Sequence, residues 1–170
     1  TYSNNDNTVL YAAIDGQVKI KNNLVMVETV YELFGDVDLA TGNIDFVGDV
    51  IINGSITSGF TVKAGGSIWV KGFIEGAMVV SGEDITVRGG IKTGLKGVVS
   101  AARNITARFV ENSRLEAGQD IIIQEAILQS SILAGGNVCV TGPRATIAGG
   151  NIQAGQMVEA KIIGSQLGAQ

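Results

Sequence analysis

The sequence predicts an all-β protein: a right-handed parallel β-helix, a three-sided β-solenoid of about 18 residues per coil, led by a short N-terminal β cap. Three observations predict it. A small–small–x–polar–aliphatic phrase returns along the chain, columns of aliphatic residues recur at matching intervals, and short runs alternate in period two. The phrase reads Ala64-Gly65-Gly66-Ser67-Ile68, then Ser81-Gly82-Glu83-Asp84-Ile85, then Ala101-Ala102-Arg103-Asn104-Ile105. It continues as Ala117-Gly118-Gln119-Asp120-Ile121 and Ala134-Gly135-Gly136-Asn137-Val138, with a worn copy at Ala154-Gly155-Gln156-Met157-Val158.

The first column of apolar anchors is Val50, Ile68, Ile85, Ile105, Ile121, Val138 and Val158, spaced 18, 17, 20, 16, 17 and 20 residues apart. A second is Ile56, Ile74, Ile91, Val110, Ile127 and Ile147, and a third is Val62, Val79, Val99, Leu115, Ile132 and Ile152. Three apolar strands per coil, separated by polar or glycine corners, give a triangular stack. Within Ile68-Trp69-Val70, Ile85-Thr86-Val87, Ile121-Ile122-Ile123 and Val138-Cys139-Val140, the flanking residues are expected inside and the middle one outside. No window sustains the i, i+3, i+4 pattern of a helix, and the recurring glycines oppose one.

The corner residue before the first anchor reads Asp49, Ser67, Asp84, Asn104, Asp120 and Asn137. Short polar side chains here are expected to bond their own backbone in Asx-type turns. No two aspartates fall in successive coils, where they would lie about 5 Å apart and repel. Right-handedness is expected because strict hexapeptides are absent. The spacing slips across Thr141-Gly142-Pro143-Arg144, where nine residues separate Val138 from Ile147.

Residues 1–36 fit the repeat poorly and are expected to cap the stack that occupies residues 37–170. Strands are expected at 9–13, 17–21 and 24–30, with turns at Asp15-Gly16 and Asn22-Asn23. Such a cap would cover the unpaired strand edges at a solenoid end.

Composition agrees with a narrow core. Apolar residues make up 45% of the 170 residues but aromatics only 5%, so Val, Ile and Ala must fill the interior. The net charge of −4 is too modest to indicate a nucleic-acid binder or a membrane-surface protein. No apolar run is long enough to span a bilayer, and nothing resembles a signal peptide, so a soluble cytoplasmic location is expected. Cys139 has no internal disulfide partner and reads as a small strand residue.

Charge is uneven along the chain. Residues 86–115 hold Arg88, Lys92, Lys96, Arg103, Arg108 and Arg114 against Glu111 alone. Within this band Arg88, Arg103, Arg108, Glu111, Asn112 and Arg114 are the candidate partner-docking residues. A solvated solenoid face is the plainer reading of the same band.

Several stretches together resemble the β-solenoid domain of the flagellar assembly protein A family. They are residues 41–50, from Thr41-Gly42-Asn43-Ile44 to Gly48-Asp49-Val50, and Ser58-Gly59-Phe60-Thr61-Val62-Lys63-Ala64-Gly65-Gly66. Gly89-Gly90-Ile91, Ala107-Arg108-Phe109-Val110-Glu111-Asn112-Ser113, Glu125-Ala126-Ile127-Leu128-Gln129-Ser130 and Ile162-Ile163-Gly164-Ser165 complete the set. Single phrases also occur in bactofilins and the cell-division inhibitor MinC; the ordered set, from about residue 12 onward, is the specific signal. The resemblance implies a bacterial cytoplasmic protein tied to flagellar assembly or placement, acting through protein contacts with placement or signalling machinery. It also implies an N-terminal domain before this region and a helical segment after it. Where relatives often have His after the Ala-Ile-Leu run, this chain has Gln129.

Chemistry is sparse. With no histidine, Ser-His-Asp and Cys-His catalysis, His-dependent acyl transfer and most zinc sites are excluded. There is no phosphate loop, and Gly89-Gly90 and Gly149-Gly150 read as turn glycines. No metal or cofactor is expected. The reading is a non-catalytic scaffold and protein-interaction domain. The alternatives are a self-assembling, bactofilin-like solenoid or homo-oligomer, and a carbohydrate-active β-helix enzyme using the cluster Arg103, Arg108, Glu111, Asn112 and Arg114, with Glu125 one coil on.

Overall fold

The computed structural model describes residues 2–3, 10–94 and 96–164, and every regular element among them is a strand. Val9 and Ser165, which the sequence reading placed in a strand and in the family resemblance, lie outside the described residues. One large sheet winds through parallel coils.

All three columns of anchors stack in register. Tyr31, Val50, Ile68, Ile85, Ile105, Ile121, Val138 and Val158 pair successively on the first face. Val37, Ile56, Ile74, Ile91, Val110, Ile127, Ile147 and Ile163 do so on the second. Ile44, Val62, Val79, Val99, Leu115, Ile132 and Ile152 do so on the third. From Val50 to Val138 the first-face anchors are buried, while Trp69 and Ile122 between them face outward at 40% and 38% exposure. Burying each anchor contributes roughly 1.5–3 kcal/mol, but only because the next coil covers it.

The stack begins before the boundary expected after residue 36. Val30–Leu33 already pairs in parallel with Asp49–Ile52 and forms the first rung. Gln17–Lys21 and Leu24–Glu28 make an antiparallel hairpin around Asn22 and Asn23, whose φ values of 51° and 63° suit a type I′ turn. The hairpin is a sheet of its own and adds no rung. At this end of the core, large rings stand where later coils carry smaller residues. Tyr31 takes the position of Val50, and Phe46 that of Ala64. Their centroids lie 5.8 Å apart, and Val37 and Ile44 beside them are 0% and 6% exposed.

The polar corner column is a ladder between coils, not the set of local turns expected. The Asp49 carboxylate accepts from the Ser67 amide at 2.8 Å, Asp84 from the Asn104 amide at 3.0 Å, and Asp120 from the Asn137 amide at 2.7 Å. Asn104 and Asn137 also donate their side-chain amides to the same aspartates, at 2.9 and 3.0 Å. The short side chains reach up one coil because the next amide lies only about 4.8 Å away. Acids alternate with neutral Ser or Asn so that each carboxylate meets donors.

A second corner column went unread in the sequence. Between the second and third faces each coil bends through a left-handed residue: Gly42, Gly59, Gly76, Gly94, Asn112, Gln129 and Gly149. Asn112 and Gln129 hold φ of 46° without being glycine.

Candidate docking surface on the second face

The charged band at 88–114 is a ring around the solenoid, not one patch. Arg103 sits at the corner from third to first face, beside Asn104 of the polar ladder. Arg114 opens the third face in Arg114–Ala117, and Asn112 is one of the left-handed corner residues. Glu111 ends the strand on the second face, while Arg88 and Arg108 turn from first face to second. Most of these charges are met locally: Arg108 Nε lies 2.8 Å from Glu125, Arg114 Nη2 2.7 Å from Glu116, and Arg103 Nε 3.9 Å from Asp84. These pairs are all substantially exposed and each contributes well under about 1 kcal/mol.

What the fold does bring together is Arg88, Arg108 and Glu111, with residues the sequence reading passed over. Lys71, Arg88 and Arg108 directly follow Val70, Val87 and Ala107, which pair across three coils. Their backbone positions therefore rise along one corner at about the 4.8 Å strand spacing, with a bulge at Arg88-Gly89 opposite Arg108. Lys71 and Arg88 make no ion pair among the described residues. Like charges at that separation repel, and the polar ladder avoids such repetition by alternating acids with neutral Ser or Asn. Here it is kept.

Beside this basic corner runs an aromatic shelf. Phe73, Gly90 and Phe109 occupy equivalent places in successive coils, just before the anchors Ile74, Ile91 and Val110. The Phe73 and Phe109 rings are 6.4 Å apart, tilted by 52°. The Phe109 ring lies back over Gly90, so that a Cβ there would be 2.2 Å from its Cζ. Gly89 and Gly90 are thus strand residues within Ile85–Lys92, with Gly90 required by close approach, and not the turn glycines expected. Gly149 and Gly150, by contrast, have φ of 69° and 86°, as turn glycines should. Lys92 Nζ stands 5.4 Å from the Phe109 ring centroid and 2.8 Å from Glu111. Further along this face Ala126, Leu128 and Pro143 line a shallow cavity of about 600 Å³ with Glu125, Arg144 and Thr146.

Chemically the ledge can hold carboxylates along its basic corner and apolar side chains against its rings. One thiol departs from its ordinary titration: burial, then the charges of Glu159 and Asp120, push Cys139 up. Among the described residues no cluster of three or more His, Cys, Asp or Glu side chains is arranged to hold a metal ion. A signal for the shelf was present, since Lys71-Gly72-Phe73-Ile74 and Arg108-Phe109-Val110 both place a base and then a ring before the second anchor.

Fold and surface together define a parallel β-solenoid whose outer faces, not its core, carry its distinguishing residues. The family model of the Flagellar Assembly Protein A beta solenoid domain matches residues 29–170, and the chain belongs to that family. The match begins where the first rung begins. Neither the curated proteins nor the solved structures contain a match to the chain.

Proposed function

We propose that this domain is a non-catalytic scaffold of a flagellar assembly protein, acting in the cytoplasm and docking an acidic protein segment on its second face. The observation that carries this reading is the repeated basic corner at Lys71, Arg88 and Arg108 beside the Phe73–Phe109 shelf. A solenoid stabilised by uniform coils can tolerate stacked like charges on its exterior, but gains nothing from them; an acidic partner relieves the repulsion. An exposed ring at Phe73 and a half-buried one at Phe109 beside arginines are a usual composition for an interface centre. Family membership supplies the flagellar context.

The test replaces the chromosomal copy in a flagellated host with a K71E/R88E version. Loss of flagella or of their normal placement is expected, with the protein's level and melting temperature unchanged. Normal flagellation with a stably produced variant would refute the docking assignment.

A further inference from the structure

Resting on the docking proposed above for the second face, we infer that the docked segment is an amphipathic helix lying along the solenoid axis. Its acids face the basic corner, and one large apolar side chain enters the hollow beyond Phe109. The ledge offers two parallel rows. Lys71, Arg88 and Arg108, continued by Arg144, mark the corner row, and Phe73, Gly90, Phe109, Ala126 and Thr146 mark the row beside it. Arg108 is matched by Glu125 at 2.8 Å, whereas Lys71, Arg88 and Arg144 make no ion pair among the described residues. The hollow follows from the lean of Phe109. Its ring lies back over Gly90, and the next coil brings only Ala126 to that row. Leu128, Pro143 and Arg144 wall the resulting cavity of about 600 Å³.

An extended segment does not suit this surface. Alternate side chains of a strand point to opposite sides, so a strand lays one row on a surface and not two. It would also gain no backbone bonds, because the strands of this face are already paired with the coils before and after them. A helix satisfies its own backbone and presents adjacent rows, an apolar stripe flanked by residues at i, i+3 and i+7. Those flanking residues rise by about 4.5 and 10.5 Å from the first, against about 4.8 and 9.6 Å for the coils of Lys71, Arg88 and Arg108. Charge fixes which flank faces the corner. On the other side of the ring row stand Glu75 and the mutually paired Lys92 and Glu111, which attract no acid.

Photo-crosslinking in flagellated cells, with the partner residue of each adduct mapped by mass spectrometry, tests this. p-Azidophenylalanine is placed at Phe73 and, separately, at Leu128, three coils further on. The two positions stand about 14 Å apart along the axis. A helix, rising about 1.5 Å per residue, should give two adducts in one partner segment about nine or ten residues apart, with acids on one flank. Adducts about four residues apart would mark an extended segment, and adducts distant in the partner's sequence a folded surface. Either result overturns the helix while the second-face docking stands. No adduct from Phe73 defeats the docking itself, and the helix with it. Ala126→Trp, on the outward side of its strand and expected to leave the melt unchanged, fills the hollow and should cut the Leu128 adduct several-fold. An undiminished adduct would overturn the placing of an apolar side chain there.

Discussion

Replacing Gly90 with Ala tests the local packing of the second face. The new Cβ would sit 2.2–2.5 Å from three atoms of the Phe109 ring, so the ring must leave its place over the strand. Leaving breaks the 6.4 Å contact with Phe73, an aromatic pair of about 0.5–1.5 kcal/mol, and the Lys92 contact, an exposed cation–π pair of about 0.5–1 kcal/mol. Ala restricts the unfolded chain more than Gly, which offsets about 0.4–1 kcal/mol. The net expectation is a loss of about 1 kcal/mol, read in thermal melts as a drop of about 2–4 °C for a chain of this size. The decisive arm is a double-mutant cycle. In a Phe109→Ala background the clash disappears, so Gly90→Ala should become neutral or mildly stabilising. If Gly90→Ala is harmless with Phe109 in place, or costs the same without it, the ring does not depend on that glycine.

Three further outcomes follow from the corners and the thiol. Asn104→Asp would put Asp84, a new carboxylate and Asp120 in consecutive coils and remove the 2.9 Å side-chain bond; a loss of about 1–2 kcal/mol at neutral pH is expected. The three carboxylates repel only while ionised, so the deficit relative to wild type should shrink in acid and grow as pH rises, as melts at pH 4 and 7 would show. Gln129→Gly relieves a left-handed backbone at φ 46° worth about 1–2 kcal/mol, minus about 0.5–1 kcal/mol of glycine entropy, and should be neutral to stabilising in urea titrations. Cys139, its thiol pushed up by burial and by Glu159 and Asp120, should alkylate with iodoacetamide more slowly at pH 8 than a free cysteine, and Glu159→Gln should narrow the gap.

The stack is legible because each coil repeats one constraint: a buried aliphatic on each of three faces of a narrow core. Periodicity carries that constraint, so the anchors from Val50 to Ile152 could be placed in register by spacing alone. Local chemistry was harder to read. Asp84 and Asn104 were recognised as corner residues, but whether a side chain bonds its own turn or the next coil depends on the rise between coils, which no local window contains. Val30–Leu33 was missed as the first rung because Tyr31 stands where later coils have Val or Ile, a substitution that suits a terminal coil. The docking candidates were grouped by sequence proximity. In a coil of this length neighbours in sequence fall on different faces, so Arg103 and Arg114 part from Arg88, while Lys71, far away in the chain, joins it.

The central claim, that the second face is where a partner docks, is tested most directly by site-specific photo-crosslinking in flagellated cells. A crosslinking side chain is placed in turn at Phe73 on the second face, Trp69 on the first and Met78 on the third, all of them exposed at 40–44%. The account predicts one discrete adduct from Phe73 that disappears when Lys71 and Arg88 are reversed to Glu, and none from Trp69 or Met78. Equal capture from all three faces, or an adduct from Phe73 indifferent to the charge reversal, would contradict it.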